Sequence, residues 1–462
     1  MAKNRHFRFF AIISVFCFGI ICSCGQQTEI VPAPSKTYAI ANSNNPVSET
    51  DLVFEAHDVL KKNFYDPEKL NYVNLFNAAL EGVSKDLESK GVEYDFQELS
   101  QDLPYNEAKS RFVEEFDRAA RLLNSAGHPS NRLVFSAVSA MLVSVGDSHT
   151  GFFTPEALAQ YTKEISNKPS YAGIGVHMRK LGEDFYYFER IFAGSPAANA
   201  GIQKLDHLLE VNGESVAGKD FETVRSMIVG DSGTDVNLKV ERKGVEIDFL
   251  VKRGNILTPS VEYSVLKNGA NKLAYIFLYR FSGRAFFQVN HFIHQFPQFG
   301  IKGIVLDLRG CPGGELSALE MISELFLDRF ATVYIFKDRN GSRKYITKII
   351  GEINLPMVVL INDASFSAAE ILAASLQNHK RAIIAGQKSE GLASCGQVFP
   401  LSRGAGMMVA IAQIFTPNGN LIEGYGVTPD MILDLTKEDV LAGRDAQLER
   451  AIEILDLKIA NR

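Results

Sequence analysis

The stretch GIVLDLRG, Gly303–Gly310, decides how the second half of this chain is built. Ile304, Val305 and Leu306 are consecutive and apolar, the pattern of a strand covered on both faces, as in a parallel sheet layered between helices. It runs into CPGGE, Cys311–Glu315, and then into the helical spacing of LSALEMISELFL. Downstream the apolar PMVVLIN, Pro356–Asn362, reads as another strand and leads through a short turn into the helical spacing of SAAEILAASLQN, Ser367–Asn378. LAYIFLYRF and RAIIAG read as further strands and AFFQVNHFIHQF as a further helix. Strands alternating with helices predict an α/β core over residues 256–462. MMVAIAQIFTPNGNLIEG, Met407–Gly424, is expected to fold back on itself across its Asn-Gly turn.

Working towards the N-terminus, residues 168–255 change character to short β-rich runs between Gly and Asn turns. YAGIGVHM, FYYFERIFAGSPAANAGI, DHLLEVNGESV, FETVRSMIVG and VNLKVERKGVEIDFLVKR give strand, short helix, strand, helix and paired strands. This order resembles a PDZ domain, most specifically in SPAANAGI and LLEVNGESV. The resemblance implies that an extended peptide adds to a sheet edge and that loop N–H groups cap its terminal carboxylate. Gly173, Ile174, Gly175 and Val176 are the expected capping loop. Residues 51–165 carry apolar residues at helical spacing, as in LVFEAHDVLKKNF and SRFVEEFDRAARLLNSAG, and predict a helical domain. It closes at VGDSHTGFFTPE, which places His149 on a loop. The fold class is therefore multidomain α+β: N-terminal helices, a PDZ domain and an α/β core.

The first residues predict an address. Lys3, Arg5 and Arg8 precede an apolar run from Phe9 to Cys22, which is too short to span a membrane and suits a secretory signal over residues 1–23. The run ends in ICSCG, Ile21–Gly25, which resembles the lipobox of bacterial lipoproteins with Cys24 as the lipidated residue. Residues 24–50, rich in Pro, Ser, Asn and Thr, read as a flexible tether. The expected location is the periplasmic side of a bacterial membrane. The formal charge is −6, and removal of the signal with its three basic groups takes it to −9. So acidic a body is a poor partner for nucleic acid or an anionic surface. Cys311 and Cys395 are the only cysteines beyond residue 24, and one disulfide between them is conceivable outside the cytoplasm. The histidines are scattered, with no metal-ligand spacing and no dinucleotide or P-loop motif, so no metal or cofactor is expected.

Two loops can carry chemistry. Ser367 stands between an apolar strand and a helix, at the carboxyl end of a strand where ligands of open α/β sheets gather. Locally, however, Ser367-Ala-Ala-Glu370 is also a capping box, a structural reason for both residues. The glycines of DLRGCPGGE let a backbone approach a ligand closely, either as an anion cradle or as a wall of an oxyanion hole.

Taken in order, GIVLDLRGCPGG, NDASFSAAEILAASLQN, RAIIAG and IEGYGVTPDM resemble the carboxy-terminal processing, or tail-specific, serine peptidases, whose core is of the crotonase/ClpP-like type. The resemblance covers nearly everything from Asp51 onward. It implies that Ser367, not Ser365, is the nucleophile, with Gly313 and Ala368 N–H groups as the oxyanion hole. One departure is important. Where that branch carries a lysine base, GQKSEGLASCGQ has Leu392, and Lys388 lies four positions away. A second branch, that of the tricorn protease core and the chlamydial protease-like activity factor, uses a histidine oriented by a glutamate. GDSHTG resembles its Asp-x-His-Thr motif and implies His149 as base, with Glu423 as the orienting acid. Imidazole titrates near neutrality, so it accepts a serine proton without the strong depression a lysine needs. The expected function is thus a secreted, lipid-anchored serine endopeptidase acting on protein or peptide substrates through an extended or C-terminal segment. The alternative is a catalytically silent PDZ lipoprotein that scaffolds partners.

Overall fold

A computed structural model describes residues 48–165, 171–349, 351 and 353–461. The expected signal, the lipobox with Cys24 and the tether up to residue 47 lie outside the described residues.

The strand Gly303–Asp307 sits third in a six-stranded sheet. The order is Val261–Asn268, Asn271–Leu278, Gly303–Asp307, Met357–Ile361, Ile383–Gly386 and Met431–Ile432. Its first pair is antiparallel and all later pairs are parallel. Alternation along the strands explains the continuous apolar runs. Ile304, Leu306, Val359 and Ile361 point to a core shared with the helices Gly283–Ile293, Leu316–Phe326 and Ala368–Asn378. Val305, Val358 and Leu360 point the other way, against Ala451, Ile454 and Leu455 of the C-terminal helix Ala446–Ala460. With a helical layer on each side, no position of the central strands faces water.

A second sheet joins the ends of the chain. Gly406–Phe415 pairs with Cys395–Pro400, with Thr332–Asp338 and with the short strand Gly151–Phe153. The expected self-pairing of Met407–Gly424 shrinks to a single bridge, Phe415 to Leu421, around the Gly419 turn. The strand finds its partners far away in sequence instead, since Met407, Val409 and Ala410 supply an apolar face that the N-terminal helices need. Those helices, Asp51–Asn63, Tyr72–Glu88, Tyr105–Ser125 and Leu133–Val143, bury Leu52, Phe76, Phe112 and Val138 in one core with it. The loop carrying His149 is thereby bound to the peptidase-like half.

The PDZ-like unit has the antiparallel order Val176–Leu181, Phe185–Ile191, His207–Val211, Asp235–Arg242 and Val245–Lys252, with the helix Phe221–Ile228 alongside. Val176–Leu181 is an edge strand. Ion pairs anchor the unit to the core: buried Arg190 donates to Asp307 at 2.9 Å, and half-buried Lys204 pairs with Asp445 at 2.7 Å.

Candidate active site

The elbow after Met357–Ile361 is strained where the sequence places its serine. Ser367 has φ 55° and ψ −120°, a region costly for any residue with a Cβ, by about 1–3 kcal/mol. Such a turn between strand and helix thrusts a side chain out at the top of the sheet, the geometry of a nucleophile elbow. The Ser367 Oγ is buried and has no hydrogen-bond partner among the described residues. Ser365, by contrast, is fully committed to structure, its Oγ donating to Leu308 O at 2.8 Å and accepting from Asn362 N at 3.0 Å.

Half of the capping box operates, and it does more than cap. Glu370 Oε2 accepts from Ser367 N at 3.0 Å and from Leu392 N at 2.9 Å, while Oε1 accepts from Ser389 Oγ at 2.6 Å and Gly391 N at 2.7 Å. Burial pushes its pKa up to about 7 against the pull of these four donors. One carboxyl group therefore fixes the elbow and the loop that follows it. The sequence signature is the capping box, but nothing in it shows that the glutamate also gathers residues some twenty positions on.

Gly313 closes the other side. It takes φ 86°, and a Cβ there would stand 2.7 Å from Ser367 Cβ and 2.8 Å from Ala368 N. Only a glycine lets the DLRGCPGG backbone lie against the elbow, so Gly313 and the Ala368 amide are brought together beside the serine. Cys311 O accepts from Phe366 N at 2.9 Å and secures the approach. The conceivable disulfide is not formed: Cys311 is a buried thiol whose pKa burial pushes up to about 12.

His149 is buried on its loop, its Nδ1 2.8 Å from Ser148 Oγ and its backbone N donating to Asp147 Oδ1 at 2.8 Å. Burial lowers its pKa, and Glu423 nearby pulls the other way. No hydrogen bond joins His149 to Ser367 or to Glu423 among the described residues. Glu423 Oε2 instead accepts from Ala393 N at 2.7 Å and Ser394 N at 2.9 Å. The three expected residues are linked through the intervening segment. Ser367 and Leu392 share Glu370, Ser394 reaches Glu423, and Gly396 lies so close to the histidine that a Cβ there would meet His149 Cβ at 3.2 Å. Leu392 is half-buried within that segment and Lys388 is exposed. Asp147, Ser148 and Ser394 were not anticipated as site residues. Asp147 and Ser148 flank His149 in GDSHTG, and only that adjacency hinted at them.

In the PDZ-like unit, Gly175 has φ 78° and the carbonyls of Ile174 and Gly175 accept from Ala197 N and Phe192 N. The N–H groups of Ile174 and Gly175 have no acceptor among the described residues, as a carboxylate-binding loop requires. From the next strand Arg179 pairs with Asp363, four residues before Ser367.

Residues 272–433 match the family model described as Peptidase family S41, and residues 188–242 match the PDZ domain. A carboxyl-terminal-processing protease of Synechocystis sp. is 28% identical over 327 residues, covering 70% of this chain and 76% of that protein. A photosystem II D1 C-terminal processing protease superposes with a TM-score of 0.52 at 24% identity, over 87% of this chain and 98% of that one. A mutant of CPAF gives a TM-score of 0.52 at 14% identity, over 89% and 97%. At those identities the two structures establish a shared fold.

Proposed function

This chain is a serine-type peptidase of the S41, carboxy-terminal processing family with a PDZ domain, and from that premise we propose a lipid-anchored endopeptidase that cuts with serine and histidine. The observation that carries the reading is the elbow: a strained, buried serine whose hydroxyl is unpartnered among the described residues, with the Gly313 backbone packed against it and the Ala368 amide, and with Leu392 where a lysine base would stand. Ser367 Oγ attacks the scissile carbonyl, and His149 Nε2 takes its proton. For this the ring must carry its proton on Nδ1 and donate it to Ser148 Oγ, which leaves Nε2 with its lone pair. Gly313 N–H and Ala368 N–H hold the oxyanion, a pair of donors whose loss typically costs about 100- to 1000-fold each. His149 then protonates the leaving amine, and water hydrolyses the acyl-enzyme by the same route. Glu423 supplies the negative charge that favours the imidazolium. The His149–Ser367 hydrogen bond forms in the substrate complex, catalytic hydrogen bonds often tightening only with substrate bound.

The PDZ loop takes the substrate's terminal carboxylate on the Ile174 and Gly175 amides, and the chain extends along the Val176–Leu181 edge towards Asp363 and the elbow. A substrate peptide with a free C-terminus is expected to be cut with a kcat/KM at least tenfold above that of its C-terminal amide. Equal values for the two peptides would remove the PDZ domain from substrate capture. Cys24 carries the lipid and holds the enzyme to a membrane outside the cytoplasm. Cell fractionation should find the wild type with membranes and Cys24→Ala in the soluble fraction; an unchanged distribution would exclude the anchor.

A further inference from the structure

Two acids, not one, lie beside His149, and a single residue grips both. Asp147 Oδ2 accepts from Ser394 Oγ at 3.1 Å, while Glu423 Oε2 accepts from the same residue's N–H at 2.9 Å. Ser394 is fully buried and stands two positions after Leu392. Asp147 Oδ1 is meanwhile occupied by the His149 amide, so any movement of Asp147 is felt by the histidine's own backbone. We propose that Ser394 is a positioning residue for catalysis, clasping Asp147 and Glu423 as a pair at one side of the imidazole. The segment that has lost its lysine thus holds the acids that a histidine base needs. The inference rests on the reading of His149 as base.

The groups facing Asp147 are Glu423 from the late loop, His149 and Ser394, together with Lys69 and Tyr65 from the N-terminal segment. Burial and the Glu423 charge push Asp147 up to about 7, and the His149 amide, the Ser394 hydroxyl and Lys69 oppose them. Asp147 is thus the carboxyl group of this cluster that changes charge near neutrality. As pH rises through that range Asp147 gains its negative charge. That charge stabilises the imidazolium formed in the transition state, so kcat should climb with pH through a limb near 7. The Ser394 hydroxyl donates to the charged form of Asp147. Its removal should therefore move the limb upward.

The experiment is the pH profile of kcat and KM for wild type, Ser394→Ala, Asp147→Asn and the double variant, with His149→Ala alongside. Ser394→Ala is expected to lower kcat at pH 6 about 2- to 9-fold with KM unchanged. Its limb should lie roughly 0.4–1 pH unit higher, the worth of one hydrogen bond to the ionised form. In the Asp147→Asn background the limb disappears, and Ser394→Ala should then change kcat by less than about twofold. If Ser394→Ala follows the wild-type profile while His149→Ala is inactive, the clasp is refuted and the histidine base stands. If the serine variant loses kcat equally with and without Asp147, its role is structural and the clasp is again refuted. Retained activity in His149→Ala would instead overturn the base assignment, and the clasp with it.

Discussion

Ser367→Ala is expected to lower peptide turnover by about a thousandfold to a millionfold, the usual cost of removing a catalytic nucleophile. The fold should be untouched. Ser367 Oγ makes no hydrogen bond among the described residues, so its loss strands no buried donor or acceptor. The backbone N–H that binds Glu370 remains, and alanine suffers the same strain at φ 55° that serine already bears. Thermal unfolding within about 2 °C of wild type, together with the loss of turnover, is the expected pair of results. Activity within tenfold of wild type would remove Ser367 from the chemistry and leave its strained geometry without a purpose.

His149→Ala should cost about 100- to 10,000-fold in kcat, the range associated with a general base. Among the described residues around the elbow, the other candidates are engaged or out of place. Lys388 is exposed, and Leu392 cannot accept a proton. Glu370 is saturated by four donors, and Glu423 is held by two backbone amides. The loss should appear in kcat far more than in KM, because the ring acts on the proton of Ser367 rather than on the bound peptide. Steady-state kinetics on a C-terminal peptide substrate would show the split. A variant with raised KM and unaltered kcat would make His149 a binding residue.

The central sheet was legible in the sequence because its signal is local. Ile304–Leu306 and Met357–Ile361 are continuous apolar runs, and both faces of both strands are covered by helices. The second sheet was not. Gly406–Phe415 reads as one arm of a hairpin, yet its partners come from Gly151–Phe153, Thr332–Asp338 and Cys395–Pro400. Pairing across such separations is chosen by which apolar faces need covering, and a local pattern carries no record of it. The site divides in the same way. Ser367, Gly313 and Ala368 are brought together by two turns whose glycines and serine can be read directly. Asp147 and Ser394 meet across 247 positions through a hydrogen bond that only the folded chain creates. Glu370 shows how one motif can hide two uses. Its box with Ser367 predicts a cap, whereas the serine hydroxyl is left unbonded and the glutamate instead gathers Ser389, Gly391 and Leu392.

The claim on which the account stands is that His149, and no amine, activates Ser367. A fluorophosphonate probe reacts only with an activated serine and measures this without any knowledge of the natural substrate. Labelling of the folded wild-type protein should map to Ser367 by peptide mass spectrometry and fall at least a hundredfold in rate in His149→Ala. Labelling of Ser367 at the same rate in both proteins would contradict the account.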